Sequence, residues 1–154
     1  MTAKEYLEQL PNIRLRIRAI RRRIAECDDR ATHITSNFSG TPSQHNGGAS
    51  SKVADNVVAK VELESELDAI AKEFEAFEHR AALEINRLPD NLYSALLFEK
   101  YINGLTWEQV AEAIQRDADY TRKELHSKAL TSFDEIIPAD TRKNPVIPPQ
   151  NMVD

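Results

Sequence analysis

Tyr120, Thr121, Lys123, Ser127 and Lys128 crowd into one short stretch of the chain. Hydroxyl groups at such spacing can read base edges, and ammonium groups can hold phosphate oxygens. Thr106 adds a further group of the same kind. It opens the run Thr106-Trp107-Glu108-Gln109, a capping box in which the Thr hydroxyl and the Gln side chain satisfy backbone amides at a helix start. Such a helix start also attracts phosphate, although the capping box needs no ligand to be useful. The chemistry these residues offer is non-covalent: contact with nucleic acid, or a solvated or protein-binding face.

Other chemistries lack their residues. His33, His45, His79 and His126 are scattered, with no metal-ligand spacing among them. There is no Ser-His-Asp, Cys-His or paired-carboxylate arrangement, and Asn46-Gly47-Gly48 reads as a flexible loop rather than a phosphate cradle. The single cysteine, Cys27, excludes an internal disulfide framework. An enzyme, a cofactor and a bound metal are therefore not expected.

The elements that must position these side chains are helices. Leu10, Ile13, Ile17, Ile20, Ile24, Cys27, Ala31 and Ile34 recur in alternating steps of three and four, the seam of one helix packed on another. Pro11 should either sit in the first turn of that helix or separate it from a short helix over 3–10. A loop is expected between Thr35 and Ser51, where glycine, serine and asparagine collect. A second long helix should run from about Ser51 to Leu88, with Val53, Val57, Val61, Leu67, Ile70, Phe74, Phe77, Ala81, Ile85 and Leu88 facing inward. Three short helices follow Pro89-Asp90. Asn103-Gly104 closes the first, and the inner face of the second holds Trp107 as a core plug with Val110, Ala111 and Ile114. The third carries Leu125, Ala129, Leu130 and Phe133 inward, which would leave Tyr120, Thr121, Lys123, Glu124, Ser127 and Lys128 outside.

Net charge is −5, which argues weakly against a nucleic-acid partner, but its distribution is uneven. Arg14, Arg16, Arg18, Arg21, Arg22 and Arg23 cluster on the first helix, while Glu62, Glu64, Glu66, Asp68, Glu73, Glu75 and Glu78 crowd the second. The arginines read as a solvated outer face, as partners for the acidic helix, or as extra phosphate contacts. No apolar run approaches the roughly 18 residues needed to cross a bilayer, and no secretory signal opens the chain, so a cytoplasmic location is expected.

The segment LPDNLYSALLFEKYINGLTWEQVAEAI, followed by LHSKAL, resembles the region-four helix-turn-helix of bacterial sigma factors. With RATHITSNFSGTP and GGASSKVADNVVAKVELESEL between two long helices ahead of it, the chain from Ala3 to Phe133 resembles the ArpU/RinA-type late-transcription regulators of phages infecting Gram-positive bacteria. That resemblance implies a phage protein in the host cytoplasm that binds double-stranded promoter DNA and contacts host RNA polymerase. Against the family's pattern, Arg116, Asp117, Asp119 and Arg122 occupy positions where glycine, apolar and basic residues are usual, and acids there oppose phosphate.

The expected architecture is all-α. A long antiparallel hairpin over 1–88, with its loop at 35–51, would serve oligomerisation or partner binding. A sigma-region-four-like unit over 89–137 would carry the DNA-binding residues, and 138–154, rich in proline, would be a disordered tail. Two rivals stand beside this reading: a helical adaptor that binds only proteins, and the DNA-recognising subunit of a phage packaging motor. The motor subunit more often places its DNA reader ahead of the oligomerising helices.

Overall fold

The computed structural model describes residues 1–36 and 48–142. Among them every regular element is helical, as the sequence periods require. Helix α1 is Ala3–Ser36 and α2 is Gly48–Asn86; α3 is Asn91–Leu97, extended without a break by a π-turn at Phe98–Ile102. Helix α4 is Trp107–Ile114. The last long helix comprises α5, Ala118–Tyr120, a π-turn at Thr121–Leu125 and α6, His126–Ile136, and a 3₁₀ turn follows at Ala139–Arg142. No described helix is long and apolar enough to cross a membrane.

The chain gathers into two compact units that do not divide at Pro89: Met1–Arg14 joins everything from Glu73 onward, and Leu15–Lys72 forms the other. In the larger unit the first turns of α1 run antiparallel to the end of α2. Tyr6 Oη donates to Glu84 at 2.7 Å, and Arg14 bonds Glu78 at 2.9 Å and the Ile102 carbonyl at 2.6 Å. Leu7, Leu10, Phe77, Ala81 and Ile85 are buried there together with Leu96, Val110, Ala129 and Phe133 of the C-terminal helices. The ring of Tyr6 lies edge-on to Phe77 at 5.1 Å and stacks on Phe133 at 6.2 Å. The base of the hairpin and the helix-turn-helix thus share one core.

In the smaller unit α1 and α2 are again antiparallel, with Arg16 bonded to Glu66 at 2.8 Å and Asp28 to Lys60 at 2.6 Å. Ile17, Ile20, Cys27 and Ile70 are its buried apolar residues among those described. The arginines divide accordingly. Arg14 and Arg16 pair with α2, Arg23 pairs with Glu26 on its own helix at 3.0 Å, and Arg18, Arg21 and Arg22 are exposed.

Four expectations need correction. Pro11 neither starts α1 nor interrupts it; the helix runs through, because burial of Tyr6, Leu7 and Leu10 before it and Ile13 after it outweighs one lost amide bond. Val57 and Val61 do not face inward but are 51% and 58% exposed, since the inner register passes through Asn56, Ala59, Lys60, Leu63 and Leu67. Helix ends encroach on the expected loop: Thr35, Ser36 and Gly48–Ser51 are helical, and 37–47 lie outside the described residues. Residues 138–142 belong to the folded unit and not to the expected tail. Arg142 is buried, donating to the Ile137 carbonyl at 2.9 Å and the Met1 carbonyl at 3.3 Å and pairing with Asp134, while 143–154 lie outside the described residues.

Candidate nucleic-acid interface

Asp90 starts α3 by accepting the Leu92 and Tyr93 amides at 2.8 and 3.3 Å, so the break at Pro89 leads directly into a capped helix. The capping box at α4 is complete: Thr106 Oγ1 accepts from the Gln109 amide at 3.3 Å, and Gln109 Oε1 accepts from the Thr106 amide at 3.0 Å. Helix α4 stops at Gln115, whose φ of 57° is left-handed. The Arg116 amide reaches back to the Ala111 carbonyl at 2.9 Å, the long bond that closes such a helix end. Glycine normally fills this position because it has no Cβ to strain. Here glutamine does, and the turn forms nonetheless.

Asp117 is the next cap. Its carboxylate accepts the Tyr120 amide at 2.9 Å, and its carbonyl accepts the Thr121 amide at 2.9 Å and the Thr121 hydroxyl at 2.6 Å. The acid that would oppose phosphate therefore caps the start of the last long helix, α5 through α6. Asp117→Ala is expected to cost about 1 kcal/mol of stability, whereas Asp117→Asn should stay within a few tenths, both read by urea unfolding. Equal losses in the two variants would remove the capping assignment.

Of the residues expected at the interface, Tyr120, Lys123, Ser127 and Lys128 lie on the exposed side of this last helix, and Thr106 is exposed at the start of α4. Thr121 is not among them. It is fully buried and engaged with Asp117, so it cannot touch a base. Its spacing of four from Leu125 sets it on the inner face with Leu125, Ala129 and Phe133, and the π-turn, where the His126 amide donates to the Thr121 carbonyl, keeps that register. Asp119 and Arg122 pair at 3.3 Å in solvent. Glu124 is exposed between the lysines and remains an uncompensated acid on that face.

A second cluster escaped the sequence reading because three separate elements supply it. Trp107 is half-buried rather than a core plug: Lys100 Nζ lies 4.6 Å from its ring centre, and His126 meets it edge-on at 4.6 Å. His126 Nε2 is 2.9 Å from Tyr101 Oη. Burial, then the charges of Lys4 and Lys100, hold the His126 pKa down to about 4, so its ring is neutral at pH 7. Burial pushes the Tyr101 hydroxyl up and the Lys100 ammonium down. The i,i+4 pair Arg122 and His126 was the one linear signal, and it is too common to single out.

No group of three or more His, Cys, Asp or Glu among the described residues is placed to hold a metal ion. No family model matches the chain, and neither a curated protein nor a solved structure matches it.

Proposed function

We propose that this chain is a phage-encoded, DNA-binding regulator of late transcription that acts with host RNA polymerase and has no catalytic activity. The observation that carries the reading is the two-sidedness of the last helix. Thr121, Leu125, Ala129 and Phe133 lock it into the core while Tyr120, Lys123, Ser127 and Lys128 stand in solvent. A short capped helix, a tight turn and a helix so presented form the arrangement that enters a major groove. The resemblance to ArpU/RinA-type regulators supplies the promoter and polymerase.

The test is fluorescence anisotropy on duplexes from the phage's own promoter regions and on scrambled controls, at several salt concentrations. Promoter duplex should bind more tightly than scrambled, with a shallow slope, since each phosphate contact contributes about −0.9 to log K against log salt and cations are few. Absence of DNA binding at low salt would end the reading. One observation favours an adaptor that binds only proteins: Asp119 and Glu124 stand on or beside the exposed face. Capture of a protein partner by a chain that binds no duplex would establish that alternative.

Self-association belongs to the same proposal. Val57, Val58 and Val61 are more than half exposed on α2, in a unit that buries few apolar residues of its own. A second copy would cover them. Wild-type protein should sediment as a dimer or larger, and Val57→Glu/Val61→Glu should sediment as a folded monomer. A wild-type monomer at high concentration would contradict this.

A further inference from the structure

A cleft of about 430 Å³ opens in the larger unit, and DNA reading makes no use of it. Three cations line it from three elements, Lys4 of α1, Lys100 of the π-turn after α3 and Arg122 of the reading helix, against one acid, Glu8. Lys100 is half-buried, with one backbone carbonyl as its hydrogen-bond acceptor in the cleft. Its ammonium donates to the Leu105 carbonyl at 3.2 Å and rests on the Trp107 ring, although an ammonium has three protons to place. Glu8 is engaged instead with Lys4 at 3.8 Å, and Arg122 with Asp119.

The remaining wall is neutral. Tyr101 keeps its proton, so its hydroxyl can donate to His126 Nε2, which leaves the Nδ1 proton of a neutral imidazole for another acceptor. Three cations against one acid in the lining, beside a ring held neutral by burial and by the charges of Lys4 and Lys100, create a field that favours an anion. We propose that this cleft binds the phosphate of a small phosphomonoester, with Lys4, Lys100 and Arg122 as its cationic contacts. Cations brought from three elements suit a tetrahedral oxyanion better than a planar carboxylate. The volume lies in the range of small-ligand pockets and leaves room for the body of the molecule beside Pro11 and Leu105. Arg122 and His126 lie on a flank of the last long helix away from Tyr120, Lys123 and Ser127, while Thr106 stands between the cleft residues Leu105 and Trp107.

Trp107 is the single tryptophan of the chain, and its fluorescence therefore reports on this cleft alone. Inorganic phosphate and adenosine 5′-monophosphate should each produce a saturable emission change beyond that of sodium chloride at equal ionic strength, with the nucleotide binding more tightly. Lys100→Met should weaken both by about tenfold, the loss of one charged hydrogen bond. If that variant does not fold, the solvent-exposed Lys4→Gln and Arg122→Gln carry the same test. Phosphate should also raise the His126 pKa in an NMR titration. A response no larger than that to chloride, or one unchanged in these variants, overturns the proposal. So does an equal loss of duplex binding in Lys4→Gln and Lys100→Met, which would make the DNA backbone the occupant.

Discussion

Tyr6→Ala is expected to lower the unfolding free energy by about 3–5 kcal/mol, as loss of a buried aromatic ring does. The ring is 1% exposed and joins three elements: it meets Phe77 of α2 edge-to-face, Phe133 of α6 stacks on it, and its own helix supplies Leu7 and Leu10 alongside. Against a typical total of about 5–15 kcal/mol, that loss is enough to unfold a marginal domain. Tyr6→Phe separates the ring from the hydroxyl. It removes the bond to Glu84 and the weaker one accepted from Arg80 at 3.4 Å, and should cost about 0.5–1.5 kcal/mol. Burial, then the Glu84 bond, pushes the Tyr6 pKa up to about 12. The unfolded phenol ionises near its ordinary value while the folded one does not, so stability should fall as pH rises from 10 towards 12. Tyr6→Phe should lose part of that alkaline sensitivity and retain what Tyr101 contributes. Denaturant unfolding followed by circular dichroism measures all of this. A Tyr6→Ala protein within 1 kcal/mol of wild type would mean that hairpin and reading helix do not share a core.

Lys123→Glu is expected to have the largest effect on DNA. Reversing this charge removes one phosphate attraction and adds a repulsion beside Glu124, so affinity should fall by more than about tenfold on every duplex, with a flatter salt slope. Tyr120→Ala should behave differently. It carries no charge and stands 44% exposed at the start of the reading helix, so it should narrow the ratio between promoter and scrambled duplex with little loss on the scrambled one. Asp119→Asn should strengthen non-specific binding. If Lys123→Glu and Tyr120→Ala leave binding unchanged while replacement of Arg21, Arg22 and Arg23 together abolishes it, α1 is the DNA contact and the reading helix is not.

Much of this fold is legible in linear spacing. The three-and-four repeat of Leu10, Ile13, Ile17, Ile20 and Cys27 is the buried face of α1, because hydrophobic period and helical period coincide there. Along α2 the same logic fails at Val57 and Val61. Two-helix packing needs only a narrow inner stripe, which Ala59, Leu63 and the stem of Lys60 suffice to fill, and the valines are left outside. Thr121 was misplaced for its chemistry: it stands one turn before Leu125 on the inner face, and its hydroxyl is satisfied there by the Asp117 carbonyl. The phosphate cleft is invisible along the chain, since Lys4 and Lys100 become neighbours of one cavity only after α1 docks.

The docking of α1 also sets an order of events during synthesis. The Ala3 amide donates to Asp134 at 3.1 Å across 131 residues, and Arg142 reaches the Met1 carbonyl across 141. The segment around Ala3 is therefore made more than a hundred residues before the partners it binds. At roughly 5–20 residues per second, Tyr6, Leu7 and Leu10 wait on the order of ten seconds, exposed and sticky, before Phe133 and Arg142 exist to cover them. For that interval the nascent chain carries an uncovered apolar face on α1 that a chaperone can hold. A ribosome stalled anywhere short of residue 133 should display it continuously.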